Sequence, residues 1–214
     1  MSSWNKLKFY RPFLVLLIFI FLEGVLDADG SAAKITKVQG RVTVKRTGTE
    51  SITTLKTGDG VSAGDLLDCA KNSRAQLVFT DDSVVIVWPG ASLRVNQYSY
   101  APGINRRSAI IKVLSGQVRF VVYKPRMDSR FVVQTEHVSL NISRHDVILM
   151  VSPTQTEIAN IGNSLDVRNI SPLAVGTIRL DTNQKTIVKA KTPPFQPAIV
   201  TSEQRRKYIR DANF

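Results

Sequence analysis

The sequence predicts an all-β domain, a roll of short antiparallel strands stacked on one another. Three observations lead there. Apolar and polar residues alternate with a period of two through most of the chain, clusters of Gly, Asp and Pro separate the alternating runs, and no stretch sustains a helical period for long. Composition agrees: 43% hydrophobic residues supply a core, which excludes a disordered chain, and a single cysteine excludes a disulfide scaffold.

Taken in order, residues 1–33 read as a targeting segment. Lys6, Lys8 and Arg11 precede the ten-residue apolar run Phe13 to Leu22, too short to span a bilayer as a helix but suited to the core of a secretory signal. Ser31-Ala32-Ala33 has small residues at the third and last positions before a cut, so the mature chain is expected to begin near Lys34. The protein is then exported to the periplasm or another extracytoplasmic space, with no membrane span left after cleavage.

From Lys34 the strands follow. Arg41 to Lys45, Gln76 to Phe79, Ser83 to Val87, Ile110 to Leu114, Gln117 to Tyr123, Arg130 to Gln134, Val147 to Val151 and Leu165 to Arg168 each alternate. Gly58-Asp59-Gly60, Gly64-Asp65, Asp81-Asp82-Ser83, Pro89-Gly90 and Pro102-Gly103 punctuate them. A faint echo runs through Val38-x-Gly40-x-Val42, Leu114-x-Gly116-x-Val118 and Ile161-x-Asn163-x-Leu165. Each is read as two strands meeting at a bend whose centre tolerates positive φ. This β domain is expected over 34–170, with terminal strands over 171–191 and a Pro-containing basic tail over 192–214. Ser202 to Ala212 offers a short helix capped by Ser202. Arg205, Arg206, Lys207 and Arg210 leave it only Tyr208 and Ile209 to bury, so the tail is expected to fray in solvent.

The charge speaks to partners. Lys and Arg number 29 against 17 Asp and Glu, and the three bases and three acids of residues 1–33 cancel, so the excess of +12 lies entirely in the exported part. Export argues against nucleic acid and leaves an envelope protein with an acidic face, or an anionic glycan or lipid. Two histidines and one cysteine leave few ways to build a metal centre, and no G-x-S-x-G elbow occurs, so no enzyme, metal or cofactor is expected. His145 beside Asp146 reads as a polar turn and His137 as a solvent-facing strand residue. Cys69, on the same strand face as Leu67, reads as a buried small hydrophobe. The candidate partner contacts are Arg41, Lys45, Asp81, Asp82, Trp88, Tyr98, Tyr100, Arg106, Arg107, Arg119, Tyr123, Arg144 and His145. They are charged or aromatic residues on the loops Tyr98 to Arg107, Asp81-Asp82 and Ser143 to Asp146 or on neighbouring polar faces, where Arg41 and Arg119 are expected to line one surface.

Seven of these segments in this order resemble the FecR domain of bacterial envelope regulators. They are Val38-Gln39-Gly40-Arg41-Val42, Leu55 to Asp59, Gly64-Asp65-Leu66, Ser73 to Ser83, Ser92 to Val95, Leu114 to Arg119, and Phe131 to Thr135. Asp82 stands where that family usually has Gly, and Thr135-Glu136 and Ser143-Arg144-His145 replace its usual Thr-Pro segment. The resemblance implies a β-roll that listens for an outer-membrane transporter and signals through a membrane helix to a cytoplasmic segment holding a sigma factor. Only the twelve residues Met1 to Pro12 precede the apolar run, too few for that output segment. The leading expectation is therefore a non-enzymatic envelope protein, a protein-binding or structural module of an extracytoplasmic assembly such as a filament sheath or surface complex. The alternatives are a periplasmic sensory module of a FecR-type regulatory system, and a binder of anionic polysaccharide or lipid.

Overall fold

Alternating burial turns the period-two runs into strands with one face inside. The computed structural model describes residues 30–104, 106–122 and 129–210. Its elements are β1 (Ala33–Gln39), β2 (Val42–Lys45), β3 (Ile52–Thr54), β4 (Gly60–Val61), β5 (Leu66–Cys69), β6 (Arg74–Phe79), β7 (Val84–Val87), β8 (Ser92–Ala101), β9 (Arg106–Val122), β10 (Arg130–Gln134), β11 (Ser139–Asn141), β12 (His145–Val151), β13 (Gln155–Asn160), β14 (Leu165–Arg168), β15 (Thr177–Leu180), β16 (Gln184–Lys189), β17 (Ala198–Ile199) and one helix, α1 (Ser202–Arg210). The fold is all-β, as the alternation predicts.

The strands form two layers joined through β9. One layer runs β17-β16-β13-β12-β9-β7-β6-β1-β4, and the other runs β3-β2-β5-β8-β9-β10-β11. The first half of β9 pairs with β8 and β10, and its second half with β7 and β12. What were expected as two strands are thus one strand that changes layer at Gly116. Gly116 has φ 79°, and a Cβ there would fall on the Ala91 backbone, so only glycine lets the strand turn over so closely. Gly40, φ 72°, makes the same crossing between β1 and β2. Asn163 does not: it is absent from the left-handed region, and its side-chain amide instead donates to the Arg144 carbonyl at 2.7 Å. All described pairings are antiparallel except β9 with β10, which run parallel from Ser108 and Arg130.

Registers fix the two ends of this sandwich. Val38, Ala75, Val87 and Val118 lie in one row near the Gly40 and Gly116 bends, Val151 pairs with Gly116, and Gln155 pairs with Lys189. The opposite end holds Ala33, Phe79, Val84, Val121 and Asp146. Between the layers the inner faces bury Ile35, Leu67, Leu77, Leu93, Ile111 and Leu140, with Phe131 edge-on to Phe79 and to Phe120 at 6.0 and 6.2 Å.

Both ends of the expected domain shift. Ala32 and Ala33 are buried, Ala33 pairs with Val61 and Phe79, and the Ala32 carbonyl accepts from Thr80 N at 3.1 Å. The folded unit therefore starts upstream of Lys34. At the other end β16 joins the first layer beside β13, and β14 with β15 forms a separate ribbon. The tail does not fray over 202–210. Its helix lays Tyr208 against Ile148, Ala159, Ile161 and Val200 on the outer face of the first layer. Its cap is Thr201 rather than Ser202: Thr201 Oγ1 accepts from Gln204 N, and Thr201 N donates to Gln204 Oε1.

Candidate functional site

An opening at one end of the molecule follows from a mismatch of strand lengths. β8 is ten residues long, but β5 pairs only with Ser92 to Arg94, and the Gly64-Asp65 turn closes that ladder at Val95. Beyond it, Gln97 to Ala101 pair with β9 on one side, and among the described residues no strand pairs with their other side. In the facing layer β4 is only two residues long. Between these two edges lies a cleft of about 1210 Å³, lined by Ser31, Lys34, Arg46, Ser62, Thr80, Tyr98, Ser99 and Tyr100 and floored by Gly58 and Gly60.

Its charge has one sign. Lys34 and Arg46 are the charged residues of the lining, which contains no carboxylate. Arg46 is held in place by Asp65, which is 2% exposed and also accepts from Ser62 N at 2.8 Å. The remaining wall is hydroxyl and aromatic.

Behind the wall sits a buried polar network. Arg107 pairs with Asp81, and both side chains are fully enclosed. Asp81 also accepts from Ser83 Oγ at 2.7 Å and from the Tyr98 hydroxyl at 3.1 Å. The guanidinium lies 5.1 Å from the Phe131 ring, while Arg107 Nε and Nη2 are buried without a hydrogen-bond partner. Burial, then the neighbouring Asp81 charge against the hydrogen bond from Thr80, pushes the Tyr98 phenol well above its ordinary range, so it stays protonated. This network fixes the ring of Tyr98 against Phe79 at 5.1 Å and thereby the shape of the cleft wall.

The structure brings two of the sequence candidates, Tyr98 and Tyr100, into this cleft and disperses the rest. Asp81 and Arg107 are interior supports, not contacts, because each neutralises the other away from water. Trp88 is 5% exposed and packs with Ile86, outside the cleft. Arg119 is bound at both ends by Asp146, at 2.8 and 2.6 Å, and shares no surface with Arg41, which lies exposed at the Gly40 bend. Lys45 pairs with Glu50 on the rim of the second layer. Arg106 and Asp82 are exposed, and Asp82 takes φ 66°, so aspartate occupies the left-handed turn position that glycine usually fills. Arg144, φ 62°, stands exposed in the turn before β12. His145 opens that strand rather than forming a turn, with Nε2 on the Ser164 carbonyl at 3.0 Å. Tyr123 lies outside the described residues. His137 is 2% exposed rather than solvent-facing, because its Nδ1 meets Thr156 Oγ1 at 3.1 Å. Cys69 is buried, with its thiol donating to the Ser73 carbonyl. Among the described residues no group of His, Cys, Asp and Glu could hold a metal ion. Lys34 and Arg46 escaped sequence reading, since nothing distinguishes them there from other lysines and arginines.

Residues 65–165 match the family described as FecR protein. The match takes in 101 of the chain's 214 residues. The chain's fold is shared with two crystal structures of a proposed anti-sigma factor from Parabacteroides distasonis ATCC 8503, at 1.65 and 2.50 Å resolution. Each superposes with a TM-score of 0.54 at 13% identity over 67% of this chain. The chain spans 64% and 63% of their lengths. No curated protein matches. The FecR match offers no support for the expected filament-sheath or surface-complex subunit.

Proposed function

We propose that this chain is the receiving module of a FecR-type regulatory system, working outside the cytoplasm by binding an envelope protein. The observation that carries this reading is the FecR match itself, together with the fold likeness to a proposed anti-sigma factor. The receiving surface is the cleft. Its open β8 edge offers backbone groups to an added strand, and Lys34 and Arg46 select an acidic extended segment of the partner. Export rests on the apolar run Phe13 to Leu22 after three basic residues, with the cut falling before Ser31, because Ala32 and Ala33 belong to the core. Ala28-Asp29-Gly30 supplies small residues at the positions such a cut requires. N-terminal sequencing of the exported protein then begins at Ser31; a start at Lys34 would remove core residues and defeat this placement.

The test of function is the transcript profile of a deletion strain restored with wild-type or Lys34→Glu protein. Deletion shifts a defined transcript set, and wild type restores it. Lys34→Glu, which reverses the charge of an exposed residue of the cleft lining, folds by circular dichroism but does not restore it. An unchanged profile on deletion overturns the regulatory reading. Full restoration by Lys34→Glu overturns only the role of the cleft.

A further inference from the structure

The bend end of the sandwich carries a feature that the FecR match does not reach. In the seven residues between Asn169 and Thr177 the chain exposes Ile170 at 45%, Leu173 at 75% and Val175 at 83%. Water-facing aliphatic side chains at this density carry a cost that a loop of no function would shed for polar residues. The exposure is built in. The buried amide of Asn169 donates to the Lys189 and Thr192 carbonyls at 2.7 and 2.9 Å, Ser171 turns the chain, and Ala174 points inward, which forces its two neighbours out. Gly176 lies against Pro193, so the loop and the Lys189 to Pro194 turn form one tip.

The tip is basic at its base. Arg168, Lys189 and Lys191 are exposed around it. From residue 167 to residue 202 the sequence has five bases and one acid, Asp181, and Asp181 lies at the far end against Ser164. Glu136, beside the Val138 bridge to Asn169, is paired with Lys112, and Asp166 on β14 lies opposite Arg179. Aliphatic side chains at the apex with cations behind them match the layered chemistry of an anionic bilayer, hydrocarbon below and phosphate above.

The geometry points to a membrane-docking tip: Leu173 and Val175 insert into the surface of an anionic bilayer while Arg168, Lys189 and Lys191 meet lipid phosphates. Docked this way, the molecule holds its cleft, at the opposite end, away from that bilayer and open to a partner. Docking of this kind needs only the loop and its flanking charge, and does not depend on the regulatory reading.

The test uses the processed chain purified from the exporting cell, with Leu173→Trp as the probe. Its emission is read as a difference from the parent, which after the cut before Ser31 keeps Trp88 of the sequence's two tryptophans. On vesicles of phosphatidylglycerol and phosphatidylcholine in equal parts, the added tryptophan shifts to the blue and is quenched by brominated acyl chains. On phosphatidylcholine alone it does neither. Lys189→Glu with Lys191→Glu weakens the anionic binding roughly tenfold or more, and added salt acts in the same direction. Unshifted emission on anionic vesicles overturns the inference. So does a shift without vesicles that accompanies dimers in sedimentation, because a second copy then covers the tip. Circular dichroism on each variant separates loss of binding from loss of fold.

Discussion

Arg107 and Lys45 stand on strands of the same layer and each meets a carboxylate, yet they do opposite work. Arg107 and Asp81 are both fully enclosed between the layers, whereas Lys45 and Glu50 leave 39% and 94% of their side chains in water on the rim. Water makes the difference. On the rim it solvates either charge alone, so the pair adds little. In the interior neither ion can be left single, and the pair gives the cleft wall its rigidity rather than a net gain in stability. Removing one buried partner sharpens this contrast most. Arg107→Leu is expected to destabilise the fold by about 3 to 5 kcal/mol in urea unfolding, because the Asp81 carboxyl is left buried without its partner. Arg107→Met combined with Asp81→Asn should recover a large part of that loss. A double variant as weak as the single one would mean that the network to Tyr98 and Ser83, not the charge, carries the cost.

The bend end tests the same idea with backbone instead of charge. Gly116→Ala places a methyl on Ala91 in a left-handed conformation and is expected to cost about 2 to 4 kcal/mol. Gly90, φ 75°, has open space where a methyl would stand, with no atom within 4 Å, so Gly90→Ala bears the conformational cost alone, about 1 to 2 kcal/mol. Thermal melts of the two variants compare them directly. Equal losses would show that close approach at the Gly116 crossing does not matter.

Cys69 gives an alkaline reading of the interior. Burial, only partly offset by Arg74, raises its thiol from 9.0 to about 11. The unfolded chain releases this proton from about pH 9 while the folded chain holds it. The stability involved is therefore complete below pH 9 and lost as pH rises through 11, about 2 to 3 kcal/mol in all. Tyr98 and Tyr208, also raised by burial, add limbs that begin higher, near pH 10. Cys69→Ala should abolish the decline between pH 9 and 10 and make it shallower from there to about pH 11, leaving the tyrosine limbs. A variant with an unchanged alkaline limb would place the ionising group elsewhere.

Much of this architecture is legible in the sequence, because strand alternation is a local property. Leu165 to Arg168 and Arg130 to Gln134 emerge at their predicted bounds, and Gly40 and Gly116 sit at bends between layers. What alternation does not carry is which strand stops short. The cleft exists because β5 begins only at Leu66, opposite Arg94, while β8 runs on to Ala101, a fact of pairing partners many residues apart. Charged candidates failed for a related reason. Arg107, Asp81, Arg119 and Asp146 have the residue types of a contact surface, but strand register brings each beside a counterion, and a charge so matched is free to go inside. The docking of α1 was hidden because its two apolar residues suffice only on the waiting face of Ile148, Ala159 and Ile161.

The smallest expected effect closes the contrast with Arg107. Lys45→Ala should change stability by no more than about 0.5 kcal/mol, and the difference from wild type should shrink further in high salt, since an exposed pair exchanges one solvated arrangement for another. Its Nζ lies 2.6 Å from Glu50, closer than many buried contacts, so proximity alone predicts a larger loss than solvation does. A measured cost above about 1 kcal/mol would mean that Lys45 works through its aliphatic stem, packed along β2 and β3. Lys45→Met, which keeps the stem and drops the charge, would then restore the stability that Lys45→Ala removes.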